Sequence, residues 1–171
     1  LPHVSPELVR DLIQSFQEKY KFIILDLPHL WNHWVSTAVT SSDHIVLTAQ
    51  LGLKSVTHCS RLLNAWKQIG IRPEQVSVIV NRSGSKFKEG VNPRDFERVC
   101  AHKIDFYISN DIKVIMKAEN QGITVMELGS SPLSNQFQRL SELLLSRLGA
   151  PRVTPVFQIP IKTHIAHQEI K

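Results

Sequence analysis

Four short apolar runs, separated by helical patterns, constrain the fold of this chain more than any other feature of its sequence. They lie at 21–26, 44–49, 76–80 and 104–108. Apolar residues that follow one another without alternation are typical of strands buried on both faces, as in a parallel sheet. The helical patterns between them recur at intervals of roughly 30 residues, the length of a βαβ unit. We therefore expect an α/β fold with a parallel sheet flanked by helices on both faces.

Apolar residues at helical spacing predict the connecting helices. A helix is expected to begin at Ser5 and Pro6, because Ser is a favoured N-cap and Pro suits the first helical position. Its apolar face comprises Leu8, Leu12, Ile13 and Phe16. Another helix is predicted to start at Asp111 and to end at Gly122. Further helices are predicted around residues 31–38, 53–66, 93–99 and 133–148.

The composition is that of one domain with a substantial core. The chain has 171 residues, of which 42% are hydrophobic, and a domain of this size buries roughly 70% of its unfolded surface. We expect the domain over residues 1–150 and an extended tail over 151–171, where three prolines exclude a regular helix. No run of about 18 apolar residues occurs, so no transmembrane segment is predicted. Two cysteines cannot form a disulfide framework, which favours a cytosolic setting.

Asp26 comes directly after the apolar run at 22–25. Open α/β sheets bind ligands at the carboxyl ends of their strands. In P-loop NTPases an Asp in this position holds Mg²⁺. The pattern therefore predicts Asp26 as a Mg²⁺ ligand, directly or through water. An apolar strand followed by Asp is common, and an Asp that only caps the next turn fits the sequence as well.

Asn81 ends the run 78–80. Its carboxamide offers both a donor and an acceptor, which suits the edge of adenine, whose N6 donates and whose N7 accepts. The alternative is a turn Asn before the Ser-Gly loop that follows. That loop carries Lys86, Phe87 and Lys88; it is able to touch phosphates, and an ordinary solvated loop explains it equally.

Other kinds of site find little support. His29 and His33 have the i, i+4 spacing of helical metal ligands, but no third ligand is evident. Cys59 is placed on an apolar helix face and is predicted to belong to the core. No G-x-S-x-G sequence occurs, so a hydrolase nucleophile is not indicated. None of the seven glycines is followed by Lys, so these residues contain no G-x₄-G-K-[ST] loop to cradle phosphates.

In order and spacing, four segments resemble the MinD/ParA family of deviant-Walker P-loop ATPases. Residues 22–28 resemble its Walker B segment, and 42–48 resemble the strand that follows. Residues 78–82 resemble the strand ending in the adenine-reading Asn, and 108–125 resemble its I-P-x-D … A-x-x-x-G-x-P-V block. The match extends over residues 20–148. It implies the C-terminal portion of a P-loop NTPase domain, whose phosphate loop and first helix would precede residue 1.

The amino-acid sequences of three segments are similar to those of one branch of the family, the CpaE/TadZ-type ATPases of Flp (Tad) pilus assembly. These segments are residues 27–34, 80–87 and 106–111. The resemblance implies a bacterial, cytoplasmic ATP-dependent switch, placed at a cell pole or at the inner face of the membrane through its partners. It further implies a homodimer in the ATP state and pilus assembly or secretion proteins as partners.

On the phosphate side, the resemblance implies that ATP or ADP and Mg²⁺ are the cofactors of the complete domain. Asp26 would position Mg²⁺ or its water. Leu27 and Pro28 would begin the switch segment that senses the γ-phosphate. Because the phosphate loop is missing from these residues, the resemblance leaves open whether ATP is hydrolysed, and this chain alone is expected to bind nucleotide poorly.

On the base side, the resemblance implies that Asn81 reads the adenine edge. Arg82 would stack on the base or close its pocket. Ser109 and Asn110 would line the base at positions where relatives usually have Pro.

Two alternative functions remain at this stage. A DNA-partition ParA protein is favoured by the net charge of +5 and the basic loop, and its DNA affinity would fall steeply with salt. A non-catalytic adaptor with a decayed nucleotide site is favoured by the missing phosphate-loop Lys. A MinD-like membrane anchor is not predicted, because the proline-containing tail is no amphipathic helix.

Overall fold

The computed structural model describes residues 4–84 and 90–149. The strands are β1 (Ile45–Ala49), β2 (Val76–Ser83) and β3 (Phe106–Ser109). The helices are α1 (Pro6–Gln17), α2 (His33–Thr40), α3 (Leu53–Gln68), α4 (Pro93–Cys100), α5 (Ile112–Gln121) and α6 (Pro132–Arg147), with a 3₁₀ turn at Pro73–Gln75. None of these helices is both long enough and apolar enough to span a bilayer.

The three strands form one sheet in the order β1-β2-β3, and both pairings are parallel. Ile45 lies opposite Val76, and Ile79 lies opposite Phe106. All carboxyl ends therefore meet at one edge of the sheet. The parallel sheet with flanking helices predicted by the apolar runs is confirmed.

Two of the predicted helices, α1 and α5, begin directly after a residue whose side chain caps them. Ser5 accepts a hydrogen bond from the backbone N–H of Leu8, and Asp111 accepts one from that of Val114, at 3.2 and 3.1 Å. Gly122 ends α5 with a φ of 63°, in the left-handed region that glycine adopts without strain. The starts and the end predicted for these two helices are confirmed.

Each face of the sheet carries its own apolar layer. Alternate residues of β2 point to opposite faces, so Val76 and Val78 pack with α3 and α4, whereas Ile79 packs with α6. The first layer comprises Val35, Val39, Leu47, Ala49, Val56, Cys59, Trp66, Val76, Val78, Phe96 and Cys100. The second centres on Ile79, Ile108 and Leu133. The helices therefore cover both faces.

The strand predicted over residues 21–26 is wrong. These residues pair with no strand in the described part of the chain, and Ile24 is 93% exposed. A strand needs a neighbour to satisfy its backbone N–H and C=O groups. Within residues 4–84 and 90–149 no such neighbour lies beside this segment, so the apolar run alone does not make it a strand.

Three other expectations need adjustment. Of the apolar face predicted for α1, only Ile13 is buried. β2 continues past residue 80 to Ser83, through an irregular register, so Asn81 lies inside the strand. The basic loop at 85–89 and the tail from 150 onward lie outside the described residues, and the boundary between domain and tail stays a prediction.

A polar cluster ties α6 to the amino end of the sheet. Asp105 accepts a hydrogen bond from the backbone N–H of Val78, at 2.7 Å, and forms an ion pair with Arg147. The Arg147 guanidinium also donates to the fully buried hydroxyl of Ser77, at 3.0 Å. His44 Nε2 lies 2.8 Å from the same hydroxyl. Burial and the charge of Arg147 lower the pKa of His44, against the opposing effect of Asp105, so its neutral form is favoured.

We predict that Asp105→Ala lowers the free energy of unfolding by about 2–4 kcal/mol, because it leaves a strand N–H and a half-buried guanidinium without their acceptor. Urea denaturation followed by circular dichroism measures the change. The matched control is Asp95→Ala, which breaks an exposed pair with Arg98 at 2.9 Å and should cost less than about 1 kcal/mol. Equal losses in the two variants would contradict the importance of the cluster.

Candidate functional site

The predicted base-side residues meet at the carboxyl ends of two neighbouring strands. Ser83 on β2 lies opposite Ser109 on β3. The backbone N–H of Asn110 donates to the carbonyl of Ser83 at 2.9 Å, and the Ser83 hydroxyl donates to the carbonyl of Ile108 at 3.0 Å. These bonds hold the two strand ends together. The segments 81–83 and 108–110 thus form one surface, although more than twenty residues separate them in sequence.

The backbone at Arg82 is unusual. Its φ is 55°, in the left-handed region that costs a non-glycine residue roughly 1–2 kcal/mol. Its N–H donates to Oδ1 of Asn81 at 2.8 Å, which stabilises the turn. Arg82 is exposed and Asn81 is half-buried. The side chain of Arg82 is therefore accessible to solvent next to Asn81 in the strand.

The Asn81 carboxamide keeps part of its hydrogen-bonding capacity. Its oxygen has two lone pairs, of which the Arg82 N–H takes one. Within the described residues, no group accepts a hydrogen bond from its Nδ2. The side chain is therefore able to donate through nitrogen and accept through oxygen at the same time, which is the pattern an adenine edge requires.

Gln136 on α6 is a neighbour of this surface that the sequence did not reveal. Its Oε1 accepts from the backbone N–H of Ser109 at 2.8 Å and from the Ser109 hydroxyl at 3.0 Å. The Ser109 hydroxyl thus donates its proton to Gln136, and its oxygen is still able to accept a hydrogen bond from a ligand. No local pattern could have found Gln136, because it lies 27 residues beyond Ser109 on a helix of otherwise ordinary sequence.

Asp26, Leu27 and Pro28 lie apart from the base-side surface. Leu27 is half-buried and packs against the first apolar layer, while Asp26 and Pro28 are exposed. All three line a groove of about 1280 Å³ that also includes β1 and the end of α6. Among the described residues that line it, none belongs to the base-side segments 81–83 and 108–110. The structure therefore presents two separate regions.

The side chains near Asp26 could hold Mg²⁺ only together with ligands from outside the protein, such as waters and phosphates. In residues 4–84 and 90–149 no three His, Cys, Asp or Glu side chains come together to hold a metal, so His29 and His33 find no third protein ligand there. Mg²⁺ is commonly held by one or two carboxylates together with waters and substrate phosphates. A single exposed carboxylate at Asp26 fits that arrangement. It does not fit a site in which the protein supplies all the ligands.

Both cysteines belong to the core. Cys59 and Cys100 are 2% and 5% exposed. Burial raises the pKa of both thiols, that of Cys100 to about 11. Since the thiolate is the reactive form, burial disfavours a nucleophilic role for either thiol. The core position predicted for Cys59 is confirmed.

We predict that Gln136→Met destabilises the chain by about 1–3 kcal/mol, because it leaves the Ser109 N–H without its acceptor. Gln136→Glu keeps an acceptor oxygen and should cost less. Urea unfolding gives the loss, and amide exchange at Ser109 shows where it arises, with faster exchange in the Met variant only. A Met variant as stable as the parent chain would contradict this positioning role.

Sequence comparison finds relatives, although no family model matches the chain. The septum site-determining protein MinD of Thermotoga maritima is 23% identical over 141 residues, which cover 81% of this chain and 52% of that protein. MinD of Bacillus subtilis is 24% identical over 123 residues, which cover 70% and 45%. The chain thus spans about half the length of the curated relatives it matches.

Solved structures share the fold. A ParA family ATPase from Chlorobium tepidum has a TM-score of 0.74 and 22% identity, over 82% of this chain and 57% of that one. MinD from Pyrococcus horikoshii, complexed with Mg-ADP, has a TM-score of 0.69 and 22% identity, over 86% and 60%. The MinC:MinD complex of Aquifex aeolicus gives 0.72 and 17%, over 92% and 63%. The chain therefore has the fold of ParA/MinD P-loop NTPases, and its sequence is similar to that of MinD proteins.

Proposed function

We propose that this chain is the part of a MinD/ParA-type ATP-dependent switch that holds the adenine base and the Mg²⁺ side of the nucleotide. The observation that carries the proposal is the surface formed by segments 81–83 and 108–110 at the carboxyl ends of β2 and β3, in a fold shared with a MinD solved with Mg-ADP. The phosphate loop would come from polypeptide other than these 171 residues, which contain no Gly-Lys pair.

On the base side, Asn81 would donate through Nδ2 to adenine N7 and accept from the N6 amino group. The bond from the Arg82 N–H would hold the carboxamide in place. The exposed Arg82 guanidinium is suited to stack on the base, since a planar cation stacks well on aromatic faces. Ser109, fixed by Gln136, and Asn110 would line the base from β3.

On the phosphate side, Asp26 would hold Mg²⁺ directly or through one of its waters. The ion neutralises phosphate charge when it is bound. Leu27 packs on the apolar layer that contains Val35 of α2, so a displacement of residues 26–28 would be passed to that layer. This contact supports a switch role for Leu27 and Pro28.

We predict that ATP binds the full chain weakly, with a Kd on the order of 1 mM, because the phosphates lack their loop. Asn81→Ala should lower the ratio of ATP to GTP affinity by about tenfold. The Asn81 oxygen would accept from the N6 amino group of adenine, whereas guanine presents the acceptor O6 at the same place on its edge, so the preference for ATP depends on the carboxamide. Amide shift changes in NMR titrations with each nucleotide measure the ratio.

Two further variants complete this experiment. Asp26→Asn should remove the difference in ATP affinity between Mg²⁺ and chelator without changing the ATP to GTP ratio. The control Asp95→Asn, on α4 and half-exposed in its pair with Arg98, should change neither. An unchanged nucleotide ratio in Asn81→Ala would contradict the base-side assignment. An unchanged Mg²⁺ effect in Asp26→Asn would contradict the Mg²⁺ assignment.

For the whole protein we propose a CpaE/TadZ-like role in Flp (Tad) pilus assembly. It would act as a homodimer in the ATP state, on the cytoplasmic side, with pilus assembly proteins as partners. The support is the similarity of residues 27–34, 80–87 and 106–111 to the corresponding segments of CpaE/TadZ-type ATPases. The sequence relatives are septum site-determining proteins, and one structural neighbour is a ParA family ATPase.

A gene deletion in the source bacterium distinguishes these roles. We expect loss of surface pili, restored by the intact gene, with normal septum placement and normal inheritance of plasmids. Minicells or misplaced septa would contradict the pilus role in favour of a MinD-like one. Plasmid loss together with salt-sensitive DNA binding would favour DNA partition instead.

A further inference from the structure

The outer face of α3 carries a row of basic side chains. Lys54, His58 and Arg61 follow one another at spacings of four and three residues, which places them on one side of a helix. All three are exposed, whereas Val56 and Cys59 of the same helix are buried in the first apolar layer. The row therefore extends for about 10 Å along α3, on the side that faces away from the sheet.

The carboxylates of the neighbouring helices do not offset this row. α2 and α3 contain no Asp or Glu. α4 contains two, and both have partners: Asp95 pairs with Arg98 at 2.9 Å, and Glu97 accepts from the backbone N–H of Ile104 at 2.9 Å. Neither of the two ion pairs among the described residues involves α3. With five Lys or Arg against those two carboxylates, the three helices have a net charge of +3.

The other side chains of α3 narrow down the anionic partners that fit the row. Single-stranded nucleic acids stack their bases on exposed aromatic rings, and Trp66, the one Trp, Tyr or Phe of α3, is 5% exposed. Duplex-binding proteins make on the order of 6–10 phosphate contacts, and the row offers three groups. A helix that lies on a membrane buries an apolar face, and on α3 only Leu53 is a large apolar residue left exposed.

A second helix has a geometry that matches the row. Carboxylates at positions i, i+4 and i+7 of such a helix lie on one side with the same spacing as the basic groups of α3. The guanidinium of Arg61 is able to bind a carboxylate through two parallel hydrogen bonds. Lys54 acts as a point charge, and His58 donates a ring N–H in either charge state. Three carboxylates in a row would therefore each meet a donor.

We propose that the outer face of α3 docks one acidic α-helical segment of a partner protein, with carboxylates at i, i+4 and i+7 facing Lys54, His58 and Arg61. The charge of this face and the single helical row of its donors carry the proposal. It goes beyond nucleotide binding and does not depend on it, because none of the three residues belongs to segments 26–28, 81–83 or 108–110.

The test uses the full chain and a synthetic helical peptide of Ala and Gln, with Glu at i, i+4 and i+7 and a fluorophore at one end. We expect saturable one-to-one binding in fluorescence anisotropy. Because exposed ion pairs are individually weak, the Kd should be on the order of 100 μM at low salt, and it should rise with salt. A control peptide of the same composition, with its Glu residues on different sides of the helix, should bind at least about fivefold more weakly.

Two substitutions to Gln provide the matched protein control. Arg61→Gln should weaken peptide binding by about threefold. Lys117→Gln removes the same charge from an exposed position of α5, a helix that packs on the second apolar layer through Val114 and Ile115, and should leave binding unchanged. Gln has a helix propensity close to those of Arg and Lys, so both variants should fold, which circular dichroism verifies.

An exchange of charges tests the pairing itself. Arg61→Glu should weaken binding of the acidic peptide by about tenfold or more, because it places like charges opposite each other. A peptide with Lys in place of the Glu that faces residue 61 should bind this variant more tightly than it binds the parent chain. A general attraction between opposite net charges would not give this reversal at one position.

Four results would overturn the proposal. The first is no binding of the acidic peptide, and the second is equal binding of the two peptides. The third is an equal loss of binding in Arg61→Gln and Lys117→Gln. The fourth is binding of a DNA duplex or of phosphatidylserine vesicles that Arg61→Gln weakens, without binding of the peptide, which would assign the face to a nucleic acid or a membrane.

Discussion

The pairing of β2 with a parallel neighbour on each side is the interaction on which the rest of this structure depends. Val78, Ile79 and Val80 are almost completely buried, which is possible only because their backbone groups are satisfied in the sheet and helices cover both faces. α3 and α4 pack on one face and α6 on the other. The same pairing brings the ends of β2 and β3 together, so Asn81 and Ser109 share one surface. The central strand thus builds both the core and the proposed base site.

The two ends of this sheet differ in what their polar groups do. At the amino end, Asp105, Arg147 and Ser77 satisfy one another, and the cluster joins the last turn of α6 to strands that lie far away in sequence. At the carboxyl end, Asn81 keeps hydrogen-bonding capacity that no other described residue uses, and Arg82 holds a strained backbone conformation. The strain and the hydrogen-bonding capacity at the carboxyl end, where open α/β sheets bind their ligands, support the base site proposed there.

Much of the fold could be predicted from local patterns, and the failures have a common cause. Caps such as Ser5 and Asp111 located helix starts because their effect is confined to one turn of chain. The run at 21–26 was as apolar as those of the true strands, yet pairing depends on a neighbour that local sequence does not specify. Gln136 and Arg147 escaped prediction for a similar reason, since they lie 27 and 42 residues from the partners they hold. Contacts of that kind exist only once the helices have packed.

The sequence by itself determined the α/β class, the parallel sheet, the core position of Cys59 and the residue types available for a nucleotide. These follow from apolar patterning and side-chain chemistry, which act locally. Only the tertiary structure decided which residues meet. It joined segments 81–83 and 108–110 into one surface and placed Asp26 in a groove that these segments do not line. The physical reason is that strand pairing and helix packing join residues that are distant in sequence. A segment such as 21–26 that finds no partner strand among the described residues has the apolar pattern of a strand but does not form one.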